Sequence, residues 1–137
     1  MDKEQEKIII KSFFEKRIHD RMMFELLSPK KRVNAIDRLC HGYENIICKR
    51  YMVEVKKPNS NPQELYSLLK SHGAGETCYV ISFNEEIDGK EVPLLDALEQ
   101  AVGFGFPSII SCILGKLAYF EAEHELGATP RYILNRD

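Results

Sequence analysis

An excess of one charge is the plainest thing this chain lacks: 19 Lys and Arg stand against 21 Asp and Glu in 137 residues, a net of −2. That balance excludes a uniformly basic nucleic-acid binder. Paired cysteines are lacking too. Cys40, Cys48, Cys78 and Cys112 form no C-x-x-C pair and no metal-finger spacing. If Cys40 and Cys48 share one helix they lie roughly 12 Å apart, too far for a disulfide. Free thiols in a chain able to build a core fit a reducing compartment, and a cytoplasmic location is the expectation.

Long apolar runs are also missing. The longest uncharged stretch, Gln100 to Gly115, contains three glycines and a proline and falls short of the roughly 20 apolar residues of a spanning helix. No membrane association is expected. The opening MDKEQEK has none of the basic-then-apolar layout of a secretory signal. No P-loop, HExxH, G-x-S-x-G or EF-hand pattern occurs. Gly103-Phe104-Gly105-Phe106-Pro107 has a G-x-G core but lacks the third glycine and follows a predicted helix, so the dinucleotide fingerprint fails on context. No internal repeat or low-complexity tract is evident, and neither a cofactor nor a metal site is expected.

What is present is enough apolar material for a core, 44% of residues, with 29% charged. This excludes disorder and a disulfide-stapled miniprotein, and the length suits one domain over residues 1–137. Apolar residues at Ile10, Phe14, Ile18, Met22 and Leu26 predict a first helix from about Lys3 to Leu27. Ser28-Pro29 predicts a second N-terminus, opening a helix to about Ile47 and closing a helical hairpin over 1–48. Tyr51 to Val55 predicts a short strand. Asn61-Pro62-Gln63-Glu64 is a capping-box variant that starts another helix, ending near His72-Gly73.

Thr77 to Phe83 is rich in aromatic and β-branched residues and reads as a strand buried on both faces. Asp88-Gly89 marks a turn, and Pro93 opens a helix ending at Gly103. Ile109–Leu114 and Leu117–Glu123 around Gly115-Lys116 predict a two-residue hairpin, with Arg131 to Leu134 as a last strand. The fold class expected is α+β: two N-terminal helices, then over 51–137 a mostly antiparallel sheet of three to four strands with helices on one face.

The net charge hides a division. Residues 1–57 carry 14 basic and 9 acidic side chains, whereas residues 58–137 carry 5 and 12. Within the basic half, Ser28, Lys30, Lys31, Arg32 and Arg38 form the leading candidate anion site, because three cations in the first turn of a helix oppose its dipole unless an anion sits there. Lys49 and Arg50 would extend it. This predicts a non-enzymatic binding module whose basic helical face takes an anion, a protein, a nucleic acid or a second copy of the chain.

The alternative is a small hydrolase-like enzyme. The predicted hairpin register sets Cys112 opposite Tyr119, with Glu121 and Glu123 on the same sheet face, where a thiol, a phenol and carboxylates would line a pocket. A cysteine nucleophile needs an activating base, and no histidine is tied to Cys112 by a local motif. Glu121, Glu123, His124 and Glu125 would hold a metal only with further ligands such as Glu86 or Asp88. A regulatory domain with an apolar ligand pocket between helices and sheet is a third reading. Ordinary solvated surface accounts equally well for the charge division.

Overall fold

The computed structural model describes residues 1–56, 60–123 and 129–136. His124 and Glu125 of the metal reading lie outside them. In chain order the elements are α1 (Lys3–Phe13), a 3-10 turn (Lys16–Ile18), α2 (His19–Leu26), α3 (Arg32–Ile46), a second 3-10 turn (Lys49–Tyr51) and β1 (Met52–Glu54). There follow α4 (Pro62–Ser71), β2 (Thr77–Ser82), β3 (Glu91–Pro93), α5 (Leu94–Ala101), β4 (Ser108–Ile113), β5 (Leu117–Glu121) and β6 (Arg131–Asn135). The fold is α+β. Among the described residues six strands form one antiparallel sheet, in the order β1-β6-β5-β4-β2-β3.

Helices cover both faces of that sheet, not one. Side chains alternate across a strand, so β2 sends Tyr79 and Ile81 to one side and Cys78 and Val80 to the other. Tyr79 and Ile81 join Phe120 and Leu134 beneath α1, α2 and α3. Cys78 and Val80 join Ile110, Tyr119 and Ile133 beneath α4 and α5. The near-continuous apolar run of β2 is therefore buried from both sides, as the sequence predicts. The edge strands β1 and β3 have three residues each, and β3 carries no recognisable strand signal of its own. Its pairing with Thr77–Tyr79 creates it.

Local chemistry explains α4. The Asn61 side chain accepts the Glu64 N–H at 2.9 Å, which satisfies one orphan donor of the first turn, and the Glu64 carboxylate reaches back to the Ser60 N–H at 3.1 Å. The Ser28-Pro29 start behaves differently. Lys31 N–H donates to the Ser28 carbonyl at 3.0 Å, so Ser28-Pro29-Lys30-Lys31 closes a β-turn with proline in its favoured second place. α3 begins one turn later, with Lys31 and not Ser28 at its N-cap.

The predicted 25-residue first helix is broken. After α1, Phe14 and Glu15 are extended, and Phe14 makes an antiparallel bridge with Ile47. Glu15 N–H donates to Ile46 O at 2.7 Å and Cys48 N–H to Phe13 O at 2.8 Å. The bridge supplies partners for the backbone groups that the interruption frees, so a tertiary contact overrides the helical periodicity.

The β4–β5 hairpin differs from expectation by a register step that keeps its faces. Ile110 lies opposite Tyr119 and Ser108 opposite Glu121, with an irregularity between Ser111 and Ile113. A two-residue slip leaves every side chain on its original side. The irregularity at Cys112 then turns Ile113 toward the α4/α5 face, where it packs. The loop is Leu114-Gly115-Lys116, and Gly115 takes the left-handed conformation at φ +77°.

Candidate functional site: a basic groove between duplicated corners

Of the five residues of the predicted anion site, Arg32 and Arg38 are engaged by acidic partners. Arg32 points inward as the hub of a buried ion network. Its guanidinium donates to both Glu6 oxygens at 2.6 and 2.9 Å and to both Asp88 oxygens at 2.7 and 2.9 Å. The Tyr79 hydroxyl donates to Glu6 at 2.6 Å, and Asp88 also accepts the Ser82 N–H at 2.9 Å. Burial opposes the charge on Arg32, but hydrogen bonds to Asp88 and Glu6 outweigh it and hold its pKa above the ordinary value. The network ties α1 and α3 to the β2–β3 connection.

Arg38 is also occupied, donating to Glu25 at 2.7 and 3.1 Å. That hydrogen bond is the main cause of the lowered Glu25 pKa, with burial acting against it. Lys31 lies 5.6 Å from the centre of the Phe24 ring. Three cations crowd the turn in sequence, yet acidic partners elsewhere in the chain neutralise Arg32, and Glu25 neutralises Arg38.

The Cys112, Tyr119 and Glu121 face is closed by packing. Tyr119 and Glu121 are fully buried. Glu121 accepts three hydrogen bonds, from Gly103 N–H at 2.6 Å, Tyr119 OH at 2.7 Å and Arg131 Nε at 2.8 Å. Burial is the first cause raising the Tyr119 pKa, and the Glu121 carboxylate adds to it. Burial likewise pushes the Cys112 thiol up to about 12, and the thiol donates weakly to the Ile110 carbonyl at 3.7 Å. Glu123 belongs to a separate place, with its Oε2 3.8 Å from His41 Nδ1. Among the described residues, no three His, Cys, Asp or Glu side chains form a metal-ligand group.

A thiol pKa near 12 leaves roughly a thousandth of the thiolate of an unperturbed cysteine at neutral pH. Iodoacetamide should therefore alkylate Cys112 in the folded protein at least a hundredfold more slowly than in the urea-unfolded chain, followed by mass spectrometry of the Cys112 peptide. Equal rates would restore it as a candidate nucleophile.

The basic surface lies instead where the two interrupted helices meet. Phe13-Phe14-Glu15-Lys16-Arg17-Ile18 and Ile46-Ile47-Cys48-Lys49-Arg50-Tyr51 follow the same course. Each ends an α-helix, places one residue in the Phe14–Ile47 bridge and enters a 3-10 turn. Their hydrogen bonds match one for one. Phe14 N–H and Ile47 N–H bond to Ile10 O and Tyr43 O, and Ile18 N–H and Tyr51 N–H bond to Glu15 O and Cys48 O. The shared pattern is two apolar residues, one variable residue, Lys-Arg and one apolar residue. Only Lys-Arg is identical between the copies, which is why the repeat is not evident from sequence. An antiparallel bridge relates its strands by a local two-fold, so the two Lys-Arg pairs leave it in opposite directions.

Between these corners opens a groove of about 840 Å³. Lys11, Lys16, Arg17, Lys49, Arg50 and Arg136 line it with Glu15 and Glu44, and all six cations are exposed. Among the described residues, no carboxylate forms an ion pair with any of the six. Arg17 donates to the Asn45 carbonyl. The Arg50 and Arg136 guanidiniums lie 4.9 and 5.4 Å from the Tyr51 ring centre, within cation–π range. His19 Nε2 lies 2.9 Å from the Phe14 carbonyl. Cys48 sits on the floor, its pKa raised first by burial and then by Glu15, with Arg50 and Arg136 opposing. Sequence reasoning placed Lys49 and Arg50 at the margin of the basic patch and missed Lys11, Lys16, Arg17 and Arg136.

No family model matches this chain, and comparison with curated proteins and with solved structures likewise yields no match.

Proposed function

We propose that this protein is a non-enzymatic binding module that holds an anionic partner in the groove between the two Lys-Arg corners. One observation carries the reading: six exposed cations share a single groove with two carboxylates and are not neutralised by ion pairs among the described residues. Keeping like charges together costs free energy through mutual repulsion. An anion in the groove relieves it. At the Ser28 turn Arg32 is already paired, as is Arg38 beyond it, which leaves Lys30 and Lys31 as the exposed cations there.

The test is isothermal titration of long-chain inorganic polyphosphate into the protein at low salt. Lys16→Glu combined with Lys49→Glu should weaken binding at least tenfold, because both side chains are exposed and their contribution is electrostatic. Lys30→Glu, at the Ser28 turn, should have little effect. Equal losses from both variants, or no binding by the unmodified protein, would overturn the proposal.

A further inference from the structure

The two corners are more specific than a patch of positive charge. Lys16 and Lys49 each stand two residues beyond the bridge, on strands running in opposite directions. At about 3.3 Å per extended residue their backbones are on the order of 12 Å apart. A single phosphate carries too little charge to neutralise the six cations that line the groove, and so does a pyrophosphate. A nucleic-acid strand carries more. Its phosphates repeat at one charge per nucleotide, so successive charges can occupy both corners at once.

Two further observations favour phosphodiester over carboxylate. The corners are structurally equivalent, which suits a ligand whose charges are identical and regularly repeated. Each corner also pairs a lysine with an arginine, and Arg50, with Arg136 beside it, is held against the Tyr51 ring. A guanidinium held in this way offers its planar fork to a phosphate with less ordering cost than a free side chain. Of the neutral polar groups in its lining, Ser12 is buried and His19 Nε2 is 2.9 Å from the Phe14 carbonyl, which leaves Asn45 and Tyr51 beside the cations. Glu44 is exposed, whereas Glu15 is half-buried against the Cys48 thiol.

We infer that the groove binds the sugar-phosphate backbone of a nucleic-acid strand, without sequence preference, using the Lys16-Arg17 and Lys49-Arg50 corners as two equivalent phosphate stations. This rests on the groove being the binding face, as proposed above. The strand lies across the Phe14–Ile47 bridge, and Arg136 reinforces the second station.

Fluorescence anisotropy with a labelled twelve-nucleotide single strand, measured across a salt series, tests the inference. For a single strand the slope of log affinity against log salt is about −0.7 per phosphate neutralised. Lys16→Gln with Arg17→Gln and Lys49→Gln with Arg50→Gln should each reduce the slope by about 1.4 and weaken binding roughly tenfold or more at 0.1 M salt. Strands of unrelated sequence should bind alike. Lys16→Gln and Lys49→Gln singly, each expected to lower the slope by about 0.7, serve if removing Arg17 from Asn45 perturbs the fold.

A loss confined to one corner would overturn the two-station assignment. So would competition by pyrophosphate at the affinity of the strand. Polyglutamate of equal charge binding as tightly as the strand would overturn the phosphodiester assignment while leaving the groove as an anion site. Polyphosphate binding that is unaffected by either corner would instead remove the reading on which this rests.

Discussion

Replacing Arg32 with methionine should destabilise the protein by about 3–5 kcal/mol, because removing one partner strands the charges of the others in a buried site. Glu6 is fully buried and Asp88 is 18% exposed at the side chain. Tyr79 OH still donates to Glu6, but one neutral donor cannot replace a bidentate guanidinium. For a chain of this length the loss corresponds to a fall in Tm of roughly 10–20 °C. Chemical denaturation measures it directly. Methionine fills much of the arginine volume, so the loss reports charge and hydrogen bonding more than a cavity. Adding Glu6→Gln and Asp88→Asn to Arg32→Met should recover part of it, since the stranded charges are then gone. A cost below about 1 kcal/mol for Arg32→Met would place Arg32 among ordinary surface cations and reopen it as an anion ligand.

The second large effect is expected at Glu121. Glu121→Leu should cost about 3–5 kcal/mol, as Tyr119 OH, Gly103 N–H and Arg131 lose their common acceptor in a covered site. Arg131 is 15% exposed at its side chain, so water only partly replaces the carboxylate. Glu121→Gln should cost less, since its carbonyl oxygen can still accept from one or two of the donors. The Gly103 bond also connects the end of α5 to the sheet. Hydrogen exchange should therefore quicken at the amides of 102–106 in Glu121→Leu more than in the rest of the sheet. Equal stability of the leucine and glutamine variants would show that the network contributes little beyond packing.

These two networks mark the boundary of what sequence patterns reveal. The Asn61-Pro62 helix start was legible because its capping partners lie within four residues. The β2 strand was legible because burial on both faces leaves a continuous apolar run. β3 was not, since three residues become a strand only by pairing with β2. The single first helix was a reasonable expectation from a four-residue period. Its interruption depends on Ile47, which no window around Phe14 contains.

The candidate sites follow the same division. Residues 28–32 looked like an unresolved cluster of positive charge, because Glu6 is 26 positions from Arg32 and Asp88 is 56. The shared face of Tyr119 and Glu121 was read correctly from strand alternation, and Cys112 packs toward the same side. That face is covered because helices lie on both sides of the sheet, an arrangement no local pattern specifies. The groove was least legible of all. Its cations come from the end of α1, both 3-10 turns and the residue after β6, and only their meeting at the bridge makes them one surface.

The most direct measurement of the central claim is a two-dimensional amide NMR titration of the isotopically labelled protein with short-chain polyphosphate. The largest shifts should fall on residues 13–18 and 46–51 and on Arg136, appearing together at one midpoint that moves to higher ligand concentration as salt is raised. Shifts centred on residues 28–32, or none within the two corners while binding occurs, would contradict it.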